Sequence, residues 1–273
     1  MIKSVCIVGC GWFGLPLAQA MVAQGIRVNG SKRNAENAAL LTEHGINGFT
    51  LDLSLDEQLE QNQGAIKVAL NTDCLVVNIP PSLRKDPDGY LVKLARLKTL
   101  INDITYQKII FISTTGVYPS LEKLMIEKDA VAHSEVSGKL LQAEAMFSAL
   151  SHSCIARFAG LVGPERHPGR FLAGKTELSQ PEAPVNIVHL HDCILAVSKL
   201  VFEPSSNGTY NVCAPKHPAR QSFYQQAALE LGLVAPQFIK ESGSGKIISS
   251  DRLMKELNFE YQFSDPMDML VAC

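Results

Sequence analysis

The chain has 273 residues, 46% of them hydrophobic and 19% charged, with a formal net charge of −2. That is enough chain for one large α/β domain or a main domain with an appendage, and the balance excludes a disordered or fibrous protein. A charge so close to neutral gives no electrostatic basis for binding nucleic acid or an anionic membrane surface.

Residues 4–8 (SVCIV) are a β-branched apolar run that stops at glycine, which predicts a buried strand. Helical periodicity follows over 14–24 through Leu15, Leu17, Ala18 and Met21, with Gly25 as the stop. A second strand is expected at 26–30, a helix at 34–43, a third strand at 49–51 and a polar helix at 56–61. Residues 74–79 (CLVVNI) form a fourth strand ended by two prolines, 89–104 an amphipathic helix, and 108–112 (KIIFI) a fifth strand. Strand and helix alternating in this way predict a Rossmann-like, doubly wound parallel sheet.

Further along come a helix at 137–150, a strand at 153–157, a Gly- and Pro-rich loop at 160–174, a strand at 185–190, a helix at 192–201 and a strand at 209–213. Two more helices are expected at 222–231 and 251–257. The seven cysteines are scattered without CxxC spacing and read as reduced, buried thiols of a cytoplasmic protein. Lys3 and the apolar run after it look like a signal peptide, but glycines interrupt the run, and no later stretch reaches the ~18 apolar residues of a membrane span.

The segment GCGWFG, residues 9–14, fits G-x-G-x-x-G between a strand and a helix. Gly9 would permit the tight turn, Gly11 the close approach of a pyrophosphate, and Gly14 the close packing of helix on sheet. Trp12 and Phe13 belong to the same cofactor turn, and the helix N-terminus behind them offers free N–H groups to phosphate. An NAD site would place a carboxylate after the second strand to hold the ribose 2′-OH. The stretch Asn29-Gly30-Ser31-Lys32-Arg33 has none, and Ser31, Lys32 and Arg33 instead suit a 2′-phosphate, so NADP is expected ahead of NAD. Both cations would serve equally as solvated surface charge.

Several segments together resemble the extended, sugar-nucleotide epimerase/dehydratase kind of short-chain dehydrogenase/reductase, in particular its atypical YeeZ-like branch. They are GCGWFG, then ISTTGVYP at 112–119, ARFAGLVGPER at 156–166, NIVHLHD at 186–192 and GTYNVCAP at 208–215. The resemblance implies a nucleotide-sugar-like small-molecule substrate. It puts Thr114 at the family's catalytic Ser/Thr position with Thr115 beside it, and the nicotinamide near Thr114 and the turn Asn78-Ile79-Pro80-Pro81. Arg166, His167 and Arg170 fall in the loop where relatives hold the substrate's diphosphate. Asp52, just after the third strand, suits an adenine-side contact and equally a polar loop role.

One element of the family pattern is missing. The Tyr-x-x-x-Lys that normally supplies a phenol of lowered pKa occurs nowhere: the residues four beyond the six tyrosines are Leu94, Ile110, Glu122, Ala214, Ala228 and Asp265. Glu135 and Lys139 are the nearest substitute acid/base pair, although an i,i+4 pair of this kind also braces a solvated helix. His189, His191 and Asp192 are read as a strand followed by an N-cap, without a metal.

The expected architecture is a dinucleotide domain of residues 1–163 plus 185–213, a small substrate lobe of 164–184 plus 214–247, and a terminal segment 248–273. Two functions stay open: an NAD(P)-dependent oxidoreductase or epimerase with a non-standard proton donor, or a dinucleotide-binding sensor or regulatory protein with little chemistry.

Overall fold

The computed structural model describes residues 1–81, 86, 88–240, 243 and 245–273. The first half of the chain runs β1 (Ser4–Val8), α1 (Gly14–Ala23), β2 (Arg27–Lys32), α2 (Ala35–Ala39), β3 (Asn47–Thr50), α3 (Asp56–Gln61), α4 (Gln63–Leu70), β4 (Cys74–Val77), α5 (Gly89–Ile101) and β5 (Lys108–Thr114). The second half runs β6 (Leu124–Met125), α6 (Glu135–Ser148), β7 (Ser153–Phe158), β8 (Gly160–Val162), α7 (Gly169–Leu172), β9 (Ile187–His189), α8 (Leu190–Phe202), β10 (Gly208–Val212), α9 (Arg220–Glu230), β11 (Ile247–Ile248) and α10 (Asp251–Leu257).

Seven strands make the central sheet, in the order β3–β2–β1–β4–β5–β7–β10. The pairs from β3 to β5 are all parallel. The chain builds outward from β1 to β3, then returns to add β4 and β5 on the other side, so the order reverses between β1 and β4, as in a Rossmann-like doubly wound fold. Every residue of β1 and β4 is buried, which is why these strands read as continuous apolar runs.

Two compact units divide the chain. The first comprises Met1–Ser113, Ser134–Ala156 and Val197–Thr209; the second comprises Thr114–His133, Arg157–Ala196 and Tyr210–Cys273. In the first, Leu17, Ala18 and Met21 of α1 are fully buried, and Phe111 stacks on Phe147 with centroids 4.6 Å apart. Gly25 ends α1 in a left-handed conformation, with Gly25 N donating to Val22 O and Ile26 N to Met21 O. The second unit has its own core of Val162, Val185, Ile187, Phe223, Ala227, Met269 and Leu270.

These units differ from the expected domains. Residues 185–190 do not rejoin the central sheet: β9 is three residues long and pairs in parallel with β8 in a separate two-stranded sheet. Only β10 returns to the central sheet from the expected 185–213 segment. Residues 114–133 and 248–273 also fall in the second unit. Part of the lobe expected at 214–247, namely 241, 242 and 244, lies outside the described residues. Helix α6 starts at Glu135, two residues before its expected start, because Ser134 Oγ accepts from Ser137 N while Ser137 Oγ accepts from Ser134 N, capping the first turn reciprocally.

All seven cysteines are free and six are buried; burial pushes the Cys10 thiol up to about 11 and holds Cys6 well above the ordinary value. Among the described residues no helix is long and apolar enough to cross a membrane.

Candidate functional site

The glycine turn lies in the first unit, between β1 and α1. Gly9 has φ of +102°, a conformation an L side chain rarely adopts. Its N–H donates to Ser31 Oγ at 2.9 Å, and its carbonyl accepts from Asn78 Nδ2 at 2.9 Å. Cys10 N donates to Ser31 O at 3.1 Å, and Leu15 N to Gly11 O at 3.0 Å. A Cβ on Gly9 would run into the Asn78 carbonyl, and one on Gly14 into the Gly9 carbonyl. Gly11 is different: a Cβ there meets nothing within 4 Å. Packing therefore demands two of the three glycines but not exposed Gly11.

The residues around this turn are placed as follows. Ser31 is buried, with its hydroxyl oxygen spent on Gly9; Lys32 is half-buried and Arg33 exposed. The Lys32 ammonium lies close enough to Cys10 to oppose the rise in its thiol pKa. Trp12 is half-buried, Phe13 buried and Pro80 exposed. Asp52 Oδ1 accepts from Ser54 N at 2.9 Å, a local turn contact. The Asn78 amide, expected beside the nicotinamide, braces Gly9.

Thr114 ends β5 and belongs to the second unit. It caps the 3-10 turn Thr115–Val117, its Oγ1 accepting from Gly116 N at 3.2 Å, so its own proton remains available to an acceptor. Thr115 is buried, and in the first unit Ser113 Oγ donates to buried Glu144 Oε1 at 2.5 Å. Tyr118 is fully buried; its hydroxyl donates to Asn211 Oδ1 at 2.7 Å and accepts from Arg157 at 2.7 Å. Desolvation raises its pKa despite the guanidinium beside it, the reverse of what a phenol acid near neutrality needs.

Glu135 and Lys139 form a surface brace. Lys139 Nζ is 2.9 Å from both Glu135 Oε1 and Asp88 Oδ1, whose side chains are 77% and 91% exposed. Hydrogen bonds from Asp88 first and Glu135 second raise the lysine pKa and hold it charged. The pair thus stands as an ion-paired brace on the surface of α6, the alternative reading of its i,i+4 spacing.

Arg166 and Arg170 are exposed, while His167 between them is buried. Its Nδ1 accepts from Gly169 N at 3.0 Å and its Nε2 lies 3.1 Å from Leu270 O, so both ring nitrogens are engaged within the chain and neither is left for a substrate. His189 and His191 do not share a strand face, because α8 begins at Leu190. Asp192 does not cap α8; its carboxylate accepts from Gln262 N at 2.7 Å and Phe263 N at 3.1 Å. Among the described residues no cluster is suited to a metal ion.

His189 Nδ1 accepts from His191 N at 3.2 Å, and Nε2 is 3.1 Å from Ala272 O. Burial lowers its pKa below the ordinary histidine value, and burial does the same for His217. The folded imidazole thus takes up its proton at a lower pH than the unfolded one. The stability from neutral His189 is present above the unfolded value and is lost as pH falls through the folded one. The urea midpoint should fall between about pH 7 and pH 5, and His189→Gln, which keeps a donor and an acceptor, should flatten part of that slope. An identical slope in the variant would show that His189 does not carry it.

No protein-family profile matches the chain. It is 38% identical to protein YeeZ of Escherichia coli K12 over 276 aligned positions, covering 98% of this chain and 99% of YeeZ. The chain belongs to the YeeZ family. Its fold is shared with WbmH of Bordetella bronchiseptica, solved with NAD+ (TM-score 0.75, 17% identity, 100% of this chain and 97% of that one). It is shared equally with a UDP-glucuronic acid 4-epimerase of Bacillus cereus, solved with UDP-glucuronic acid and NAD (TM-score 0.74, 17% identity, 98% and 97%). This YeeZ-family chain thus shares the Rossmann-like α/β fold of those two structures. Sequence reasoning missed Arg157, Glu144 and Lys246 at the strand-end turns, because their partners lie 31 to 131 positions away and no local spacing marks them.

Proposed function

We propose that this YeeZ-family protein binds a nicotinamide dinucleotide at the turn Gly9–Gly14, prefers the 2′-phosphorylated form, and acts as an oxidoreductase or epimerase on a nucleotide-sugar-like small molecule. The observation that carries the reading is the open space at Gly11, which packing does not require and a pyrophosphate would fill. The known structures of WbmH and the epimerase, both holding NAD, support the dinucleotide part of this reading, while the preference for the 2′-phosphate rests on Lys32 and Arg33 alone. When bound, the nicotinamide supplies hydride chemistry. Gly9, Gly11 and Gly14 would give the phosphates backbone approach, and Lys32 and Arg33 would attract a 2′-phosphate. Thr114 would donate its proton to a substrate carbonyl or hydroxyl oxygen, and exposed Arg166 and Arg170 would meet the substrate's diphosphate.

Removing one charge-assisted hydrogen bond to a phosphate costs about 1.5–3 kcal/mol, roughly 10- to 100-fold in affinity. Arg33→Ala or Lys32→Ala should therefore cut the NADPH-over-NADH affinity ratio, read by fluorescence titration, by roughly that factor. A ratio unchanged in both variants would remove these side chains from the site. The second reading, a dinucleotide-binding sensor without chemistry, is favoured by the locked phenol of Tyr118 and the charged brace of Lys139. Turnover on a panel of nucleoside-diphosphate sugars with NADP+ decides between them.

A further inference from the structure

Lys246 lies 132 positions from Thr114 in sequence, yet its side chain ends on the turn that Thr114 begins. One side chain fixes its backbone from both sides: Asn186 Nδ2 donates to Lys246 O at 2.8 Å, and Asn186 Oδ1 accepts from Ile248 N at 2.8 Å. Pairing of β11 with β6 adds Ile247 N to Lys123 O at 3.0 Å and Ser249 N to Met125 O at 2.9 Å. The root of the lysine is therefore held firmly.

From that root the ammonium donates to Tyr118 O at 2.7 Å and to Thr115 O at 3.3 Å. Thr114 Oγ1 caps the front of the same turn, and Tyr118 N closes it on Thr115 O at 3.2 Å. His133 reaches the intervening Gly116 O at 3.3 Å. A cation at the carbonyl end of a helical turn is favourable, but half-burying one carries a desolvation cost, which here lowers the ammonium's pKa. That cost has a use if the turn must not move, since misplacing a reacting group by about 1 Å can lose about 100-fold in rate.

We propose that Lys246 is the positioning residue for Thr114: its ammonium, rooted by Asn186 and β11, straps the carbonyls of residues 115 and 118 and so fixes the direction in which the Thr114 hydroxyl donates. The chemical consequence rests on the reading of Thr114 given above, whereas the strap does not. The test uses the full chain with labelled threonine methyls and amides, in wild type, Lys246→Met and Lys246→Arg, with Lys246→Gln in reserve should the methionine variant fold poorly. Two structural signals are followed: the Gly116 amide exchange rate and the Thr114 methyl resonance. Two kinetic ones, kcat and KM, are measured with NADP+ and UDP-glucose as probe.

Lys246→Met should speed Gly116 exchange by about tenfold or more, average the Thr114 rotamers, and lower kcat roughly 10- to 100-fold with KM and NADPH affinity unchanged. Lys246→Arg, which keeps the charge and the donors, should restore most of each. Unchanged exchange and methyl signals in Lys246→Met would overturn the strap. A fall in kcat that only tracks the unfolded fraction would overturn the positioning role. If wild type does not turn over UDP-glucose, the proposed function fails for that sugar, while the exchange and methyl signals still decide whether Lys246 holds the turn.

Discussion

Gly11→Val should leave a folded protein that no longer binds its dinucleotide. A Cβ at Gly11 meets no heavy atom within 4 Å apart from its chain neighbours, so the apo fold should accept a side chain there at little cost. The same side chain would occupy the space a pyrophosphate needs. Forcing atoms into a close-packed space costs about 1–3 kcal/mol, and each charge-assisted N–H hydrogen bond that can no longer form adds about 1.5–3 kcal/mol. Affinity should thus fall by roughly 100-fold or more. Gly9→Val and Gly14→Val give the contrasting outcome, since each drives its Cβ into backbone carbonyl and Gly9 also has φ of +102°. Those two variants should lose stability along with binding. Calorimetric titration with NADPH beside a thermal melt separates the cases, and a Gly11→Val protein that binds as well as wild type would end the claim that this turn holds the cofactor.

The second large effect concerns Thr114 and Tyr118, four positions apart in sequence but given different work. Thr114→Ala removes a hydroxyl whose proton is available at the end of β5, and should lower turnover about 10²–10³-fold, the usual effect of deleting one preorganised donor, while sparing NADPH affinity. Tyr118→Phe removes a phenol locked between Asn211 and Arg157, so Asn211 Oδ1 and the guanidinium each lose one hydrogen bond while Arg157 still donates to Glu127 O. Its cost should appear as about 1–3 kcal/mol of stability in a urea titration, with turnover per folded molecule unchanged. The opposite pattern, activity surviving Thr114→Ala and vanishing in folded Tyr118→Phe, would make the phenol the proton donor after all.

The sequence is most legible where short-range physics decides. The run at 4–8, the three glycines and the helix behind them stand in the structure almost to the residue, because strand burial and turn geometry are written in adjacent positions. β2 reaches two residues further than its apolar run suggests, to Lys32, because parallel pairing with β3 carries the polar Ser31 and Lys32 into the sheet. Helix α4 leaves no readable signal, since its buried positions, Ile66 and Leu70, are too few to set a period. The two-residue strands β6 and β11 are equally invisible, having no pattern of their own and existing only as partners. For the candidate site, the glycine turn and the Thr114 strand end can be found from motifs. The groups that hold them in place, Asn78, Ser31, Glu144 and Lys246, act across distances that only the fold closes.

Cys10 stands between the first two glycines of the turn, 1% exposed, with its sulfur 3.7 Å from Ile7 O. Burial pushes its thiol up to about 11, so at neutral pH Cys10 offers the glycine turn no thiolate for a peroxide or a disulfide to meet. Oxidative stress would therefore not gate this loop through sulfur. If a protein of this kind reports on the reducing power of its surroundings, the message has to arrive as the ratio of reduced to oxidised dinucleotide, read by occupancy alone.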